Sequence, residues 1–108
     1  MAQTKLNAFA NVAAGQTDVN IVSAVPGKSI KVVQIAMVTA ATATNVTYNS
    51  KPSGSGTAIS PLFANGANGG AVLPYNHEGW FSTTPGQGLS VTTGSGSTTG
   101  ILVGYITI

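Results

Sequence analysis

The chain has 108 residues, enough for one domain. Only 6% of it is charged, against about 25% in an average globular domain, while 43% is hydrophobic, so neither a disordered tail nor an ordinary soluble surface is indicated. Four scattered lysines without arginine (Lys5, Lys28, Lys31 and Lys51) argue against direct nucleic-acid binding, and the lack of cysteine excludes a disulfide framework or a thiolate metal site.

No window has helical periodicity. β-Branched residues dominate, and Gly or Pro punctuates the chain about every ten residues, the pattern of an all-β sandwich or barrel. The first strand is expected near residues 5–12, where Leu6, Ala8, Ala10 and Val12 alternate with other positions. A second covers 18–25, with Val19, Ile21 and Val25 on one face. Pro26-Gly27 is a turn signal: Pro presets the first central position and Gly permits positive φ at the next.

Residues 30–40 form the strongest segment. Simple alternation puts Val33, Ile35 and Met37 on one face and Ile30, Val32 and Val38 on the other, so both faces read as apolar. Such a strand is expected between two layers or under a neighbouring subunit. Residues 45–50 follow with Val46 and Tyr48 inward, and 51–56 is a loop. A short strand at 57–63 is broken by Pro61, which suggests an edge or a bulge. Further short strands are expected at 71–73 and 79–83, with a turn at Pro85-Gly86 and a strand at 89–93. Residues 94–100 read as a flexible hairpin tip, and 101–108 as a closing apolar strand. Eight or nine strands without repeat or linker fit one antiparallel β-sandwich, expected to be a jelly roll. Residues 1–17 are expected to form an extended N-terminal arm with the first strand, and 18–108 the sandwich.

The longest apolar-rich stretch, 32–41, contains Gln34 and Thr39 and is too short to span a membrane. No secretory apolar region is seen near the N-terminus, so synthesis in a cytosol is expected. A folded chain of this mass exposes roughly 5,500 Å². With so few charges over that area, much of the surface is expected to be covered by copies of the chain or by a larger assembly.

Three groups of residues invite a functional reading. His77-Glu78 offers an acid–base pair or part of a metal site. The remaining carboxylate, Asp18, supplies too few ligands for a metal, and no nucleophile elbow is present. A polar loop is the simpler account, and no enzyme activity, metal or cofactor is expected. Trp80, with Tyr75 and Phe81 nearby, has the composition of a sugar-stacking site. Alternation along a strand instead sends one of Trp80 and Phe81 to the core and the other to the surface or an interface. The Gly-rich stretches around Gly54-Ser55-Gly56 and Gly94-Ser95-Gly96 lack phosphate-loop spacing and read as turns.

The run AVLPYNHEGWFSTTPGQGLSV at 71–91, preceded by Gly69-Gly70, resembles small tailed-bacteriophage capsid decoration (cement) proteins. VPGKSIKVVQIAMVTA at 25–40 is similar to the turn and long strand that open their sandwich, so the resemblance spans about residues 18–108. It departs from them at Asn76-His77-Glu78, where an apolar residue or Pro is more usual. The resemblance implies a virion protein, made in the host cytoplasm and added to the capsid surface as a homotrimer that bridges major capsid protein subunits. On that reading Lys5, Leu6 and Phe9 of the arm would contact the shell or a neighbour, and Tyr75, Trp80 and Phe81 the trimer interface. Alternatives are a tail, fibre or baseplate component, and a carbohydrate-binding module using Trp80 and His77.

Overall fold

The computed structural model describes residues 4–108. Among them are ten strands: β1 (Leu6–Val12), β2 (Val19–Val22), β3 (Ile30–Thr39), β4 (Thr44–Lys51), β5 (Thr57–Ala58), β6 (Phe63–Asn65), β7 (Gly70–Leu73), β8 (Phe81–Ser82), β9 (Gly88–Thr93) and β10 (Thr99–Thr107). They form two sheets. The first runs β1-β10-β3-β7, with β8 also on β3; the second runs β2-β9-β4-β5, with β6 also on β4. Every pairing is antiparallel.

The sheets pack face to face as a β-sandwich. Val12, Ile30, Val32, Ile35, Met37, Ile101 and Val103 of the first sheet meet Val22, Val46, Tyr48, Leu89 and Val91 of the second. Tyr48 lies at the centre, fully buried, with Phe63 edge-on at 5.9 Å and Phe81 tilted at 5.7 Å. Its hydroxyl reaches Met37 Sδ at 3.4 Å, and burial raises its pKa.

A β-bulge corrects the two-faced reading of residues 30–40. Gly104 pairs with Gln34 but Tyr105 with Val32, leaving Val33 as the extra residue of β3. The extra residue resets alternation, so Ile30 and Val32 before it and Ile35, Met37 and Thr39 after it all point into the core. Val33 itself is fully buried outside the central cluster. There the 74–80 loop runs along the β3 edge between β7 and β8: Asn76 N–H donates to the Val33 carbonyl and Trp80 N–H to the Val32 carbonyl, both at 2.8 Å.

Both Pro-Gly turns form as expected. Lys28 N–H donates to the Val25 carbonyl at 3.0 Å around Gly27 (φ 72°), and Gln87 N–H to the Thr84 carbonyl at 3.0 Å around Gly86 (φ 83°). The 57–63 segment divides at Pro61 into β5 and β6, which raises the strand count to ten. The Gly/Ser tip differs from the flexible hairpin expected. Ser97 Oγ donates to the Thr42 carbonyl and Ser97 N–H to Thr44 Oγ1, both at 2.9 Å, pinning the tip to the β3–β4 turn.

The first strand expected near residues 5–12 forms as β1 (Leu6–Val12) and is an integral strand of the first sheet. β1 pairs residue for residue with β10 from Leu6↔Tyr105 to Val12↔Thr99, and Val12 is 1% exposed in the core. Alternation explains its place: Ala8, Ala10 and Val12 face inward while Asn7, Phe9 and Asn11 face out.

Candidate docking face

The outer face of the first sheet is built from the residues that the inward set leaves behind. One row crosses all four strands in register: Phe9 on β1, Leu102 on β10, Ala36 on β3 and Val72 on β7. The next row is Asn11, Gly100, Val38 and Gly70. Phe9 is 81% exposed, Val72 69%, Val38 61% and Leu102 45%. A shallow groove of about 250 Å³ runs between them, with Gly100 contributing no side chain to its floor. On the other side of the Phe9 row, the row of Asn7, Gly104 and Gln34 is polar, with Lys5 Nζ donating to Asn7 Oδ1 and Gln34 Oε1 at 3.0 Å each.

The second sheet presents a different surface. Its outward positions include Asn20, Ser90 and Asn49 in one row and Thr92 and Thr47 in another. Asp18, held at φ 52°, closes this network. Its carboxylate accepts from Gly56 N–H (3.0 Å), Ser90 Oγ (3.0 Å) and Asn49 Nδ2 (3.2 Å). Those bonds, the Gly56 amide first, outweigh desolvation and hold the Asp18 pKa below the ordinary carboxylate range, with help from the Lys51 charge. One outer face is thus satisfied within the chain, and the other is apolar and open. Contiguous exposed apolar area of this kind is a candidate contact surface.

The residues singled out in the sequence fall into three places. Phe9 stands on the apolar face. Lys5 lies at that face's polar end, and Leu6 at the start of β1 is 46% exposed. Tyr75 and Trp80 are exposed on the 74–80 loop, at 54% and 42%. The Trp80 Nε1–H donates to the Pro74 carbonyl at 2.9 Å, which fixes the indole while leaving part of its ring open. Phe81 does not join them. The expected alternation turns it onto Tyr48, where its ring is partly buried against the core.

His77 and Glu78 occupy the loop's exposed tip. Asn76 organises that tip, its Oδ1 accepting from Glu78 N–H at 3.1 Å and its carbonyl from Gly79 N–H at 2.8 Å. The Tyr75 hydroxyl and His77 Nδ1 are 3.4 Å apart. Among the described residues, no three of His, Asp and Glu gather as a metal-binding group. Reasoning from sequence missed Val38, Val72 and Leu102 as surface residues; the alternation of 101–108 signalled Leu102, but the bulge hid Val38. No protein-family model, curated protein or solved structure matches the chain.

Proposed function

We propose that this chain is a structural virion protein, a decoration protein that binds the outside of a phage capsid and stabilises the shell. The apolar outer face of the first sheet is the observation that carries this reading. It supplies an apolar contact surface with Lys5 at one end, and the contrast with the hydrogen-bonded second face gives it a direction. The resemblance at 25–40 and 71–91 supplies the partner, the major capsid protein.

We also read the sandwich as a jelly roll. β5/β6 and β7/β8 each act as one interrupted strand, and the chain changes sheet at every step except from β4 to β5/β6, which are neighbours in the second sheet. The orders β1-β10-β3-β7 and β2-β9-β4-β5 then support the paired Greek keys of that fold. On the capsid surface the chain would assemble as a trimer through Tyr75 and Trp80. The mechanism is linkage: a protein that binds only the assembled shell stabilises it by RT ln(1 + [L]/Kd) per site, about 2.7 kcal/mol at a hundredfold excess over Kd.

Quantitative mass spectrometry of purified particles tests this. A ratio to the main shell protein near one to one is expected. A handful of copies per particle would replace decoration with a tail, fibre or baseplate role, and none would overturn the virion reading in favour of sugar binding.

A further inference from the structure

Sheet edges are liabilities that folded proteins shorten, bend or block with proline and charge. Three of the four edges here are managed in that way. β2 has four residues and a register shift between Asn20 and Val22. β5 and β6 are two and three residues long, separated by a segment containing Pro61. β7 has four residues and stops at Pro74. β1 is the exception: seven residues in unbroken register with β10, containing no proline, glycine or charge. Among the described residues, its only strand partner is β10.

The sequence of that edge is a near-palindrome. Leu6-Asn7-Ala8-Phe9-Ala10-Asn11-Val12 reads alike in both directions about Phe9, with Leu6 and Val12 as the one conservative mismatch. Antiparallel pairing reverses direction, so a palindromic strand is complementary to itself. We propose that two copies of this chain pair through β1 about a two-fold axis at Phe9, joining the two first sheets into one continuous sheet.

In that register Phe9 faces its own copy, Asn7 faces the partner's Asn11, Ala8 the partner's Ala10 and Leu6 the partner's Val12. Odd residues meet odd residues and even meet even, so inward side chains stay inward and outward ones stay outward. The register is open to either set of β1 backbone groups. If the odd residues present their amides to the free edge, residue 9 forms the central hydrogen-bonded pair. If the even residues do, residues 8 and 10 bond on either side of it. The interface is isologous and closes at two copies. The apolar row also continues across the axis, from Val72 through Phe9 to the partner's Phe9 and the partner's Val72. Tyr75 and Trp80 lie at the opposite edge of the sheet, in the loop between β7 and β8, and stay free for other contacts. The pairing is independent of the capsid reading and would hold for any larger assembly.

Two sets of variants test it, using the full chain in solution. The chain has no cysteine, so Phe9→Cys introduces a single thiol at an 81% exposed site that packs no core. Directly opposed residues in an antiparallel pair lie about 4.5–5.5 Å apart at Cα, within disulfide range. Mild oxidation should convert Phe9→Cys to a covalent dimer, while Val72→Cys, exposed on the same face at the far edge, should stay uncrosslinked. Failure of Phe9→Cys to link, or equal linking at both sites, would overturn the proposal. The second set tests register by analytical ultracentrifugation. The native chain should sediment as a dimer. Asn7→Lys with Asn11→Lys puts like charges opposite each other twice, whereas Asn7→Lys with Asn11→Glu puts opposite charges there. The Lys/Lys chain should dissociate with a Kd on the order of tenfold or more above the Lys/Glu chain. A monomeric native chain, or equal dissociation constants for the two variants, would refute it.

Discussion

Replacing Val72 and Leu102 together by threonine should weaken docking on the shell without disturbing the sandwich. Both side chains stand on the outer face of the first sheet, 69% and 45% exposed, and neither belongs to β1 or the core cluster. Fully burying a Val or Leu side chain contributes about 1.5–3 kcal/mol. Scaled by the area still open, the pair offers roughly 2 kcal/mol to a partner that covers it, or about a thirtyfold change in Kd. Threonine is β-branched and suits an exposed strand position, so the thermal midpoint should move little. The assay is binding of purified protein to particles that lack it, with circular dichroism as the folding control. Thr47→Ala, on the outer face of the second sheet, should bind as the native chain does. An affinity within about threefold of native for the folded double variant would refute the assignment of this face.

Acid should loosen the polar face selectively. Because the folded-state pKa of Asp18 is lowered, its contribution is fully present above the ordinary aspartate pKa and is lost as pH falls through the depressed value. Denaturant midpoints should therefore decline below about pH 4, and Asp18→Asn should flatten that decline; an unchanged slope would remove Asp18 as its source. Gly70→Ala should cost about 3 kcal/mol, because the added methyl would collide with the Met37 carbonyl, and β3 and β7 would have to separate. Gly66→Ala, which meets open space, should be near neutral, and equal thermal midpoints for the two variants would show that the β3–β7 approach tolerates expansion. Simple sugars should leave Trp80 fluorescence unchanged, and a saturable change would favour the carbohydrate-binding alternative.

What was legible in the sequence was whatever local chemistry decides. Pro26-Gly27 and Pro85-Gly86 announce their turns because the φ preferences of Pro and Gly act within four residues. The opposite fates of Trp80 and Phe81 follow from period-two alternation. What stayed hidden depends on partners distant in sequence. The bulge at Val33 exists because of how β3 meets β10 at Gly104 and Tyr105, and without it Val38 reads as a partner of Ile30 and Val32 on a buried face. The tip at 94–98 looks flexible by composition, but Ser97 finds Thr42 and Thr44 across the β3–β4 turn. The symmetry of residues 6–12 is plain in the sequence, yet it acquires physical meaning only once topology makes β1 an edge.

These features bear on the low charge. A monomer with a long, straight, unblocked edge and an exposed Phe9 beside it has little charge with which to resist uncontrolled pairing. Closure on the two-fold occupies that edge, and the shortness, bulge and prolines of the other edges stop growth into a fibre. The axis of such a pair is perpendicular to the sheet, so the outer faces of both copies lie on the same side. The dimer would therefore double the apolar area presented in one direction while its hydrogen-bonded second faces point the other way. A surface of that form suits an extended partner approached from one side, which is the geometry a shell offers. On that reading the sparse charge ceases to be a defect of solubility, because the apolar side would be the side that assembly covers.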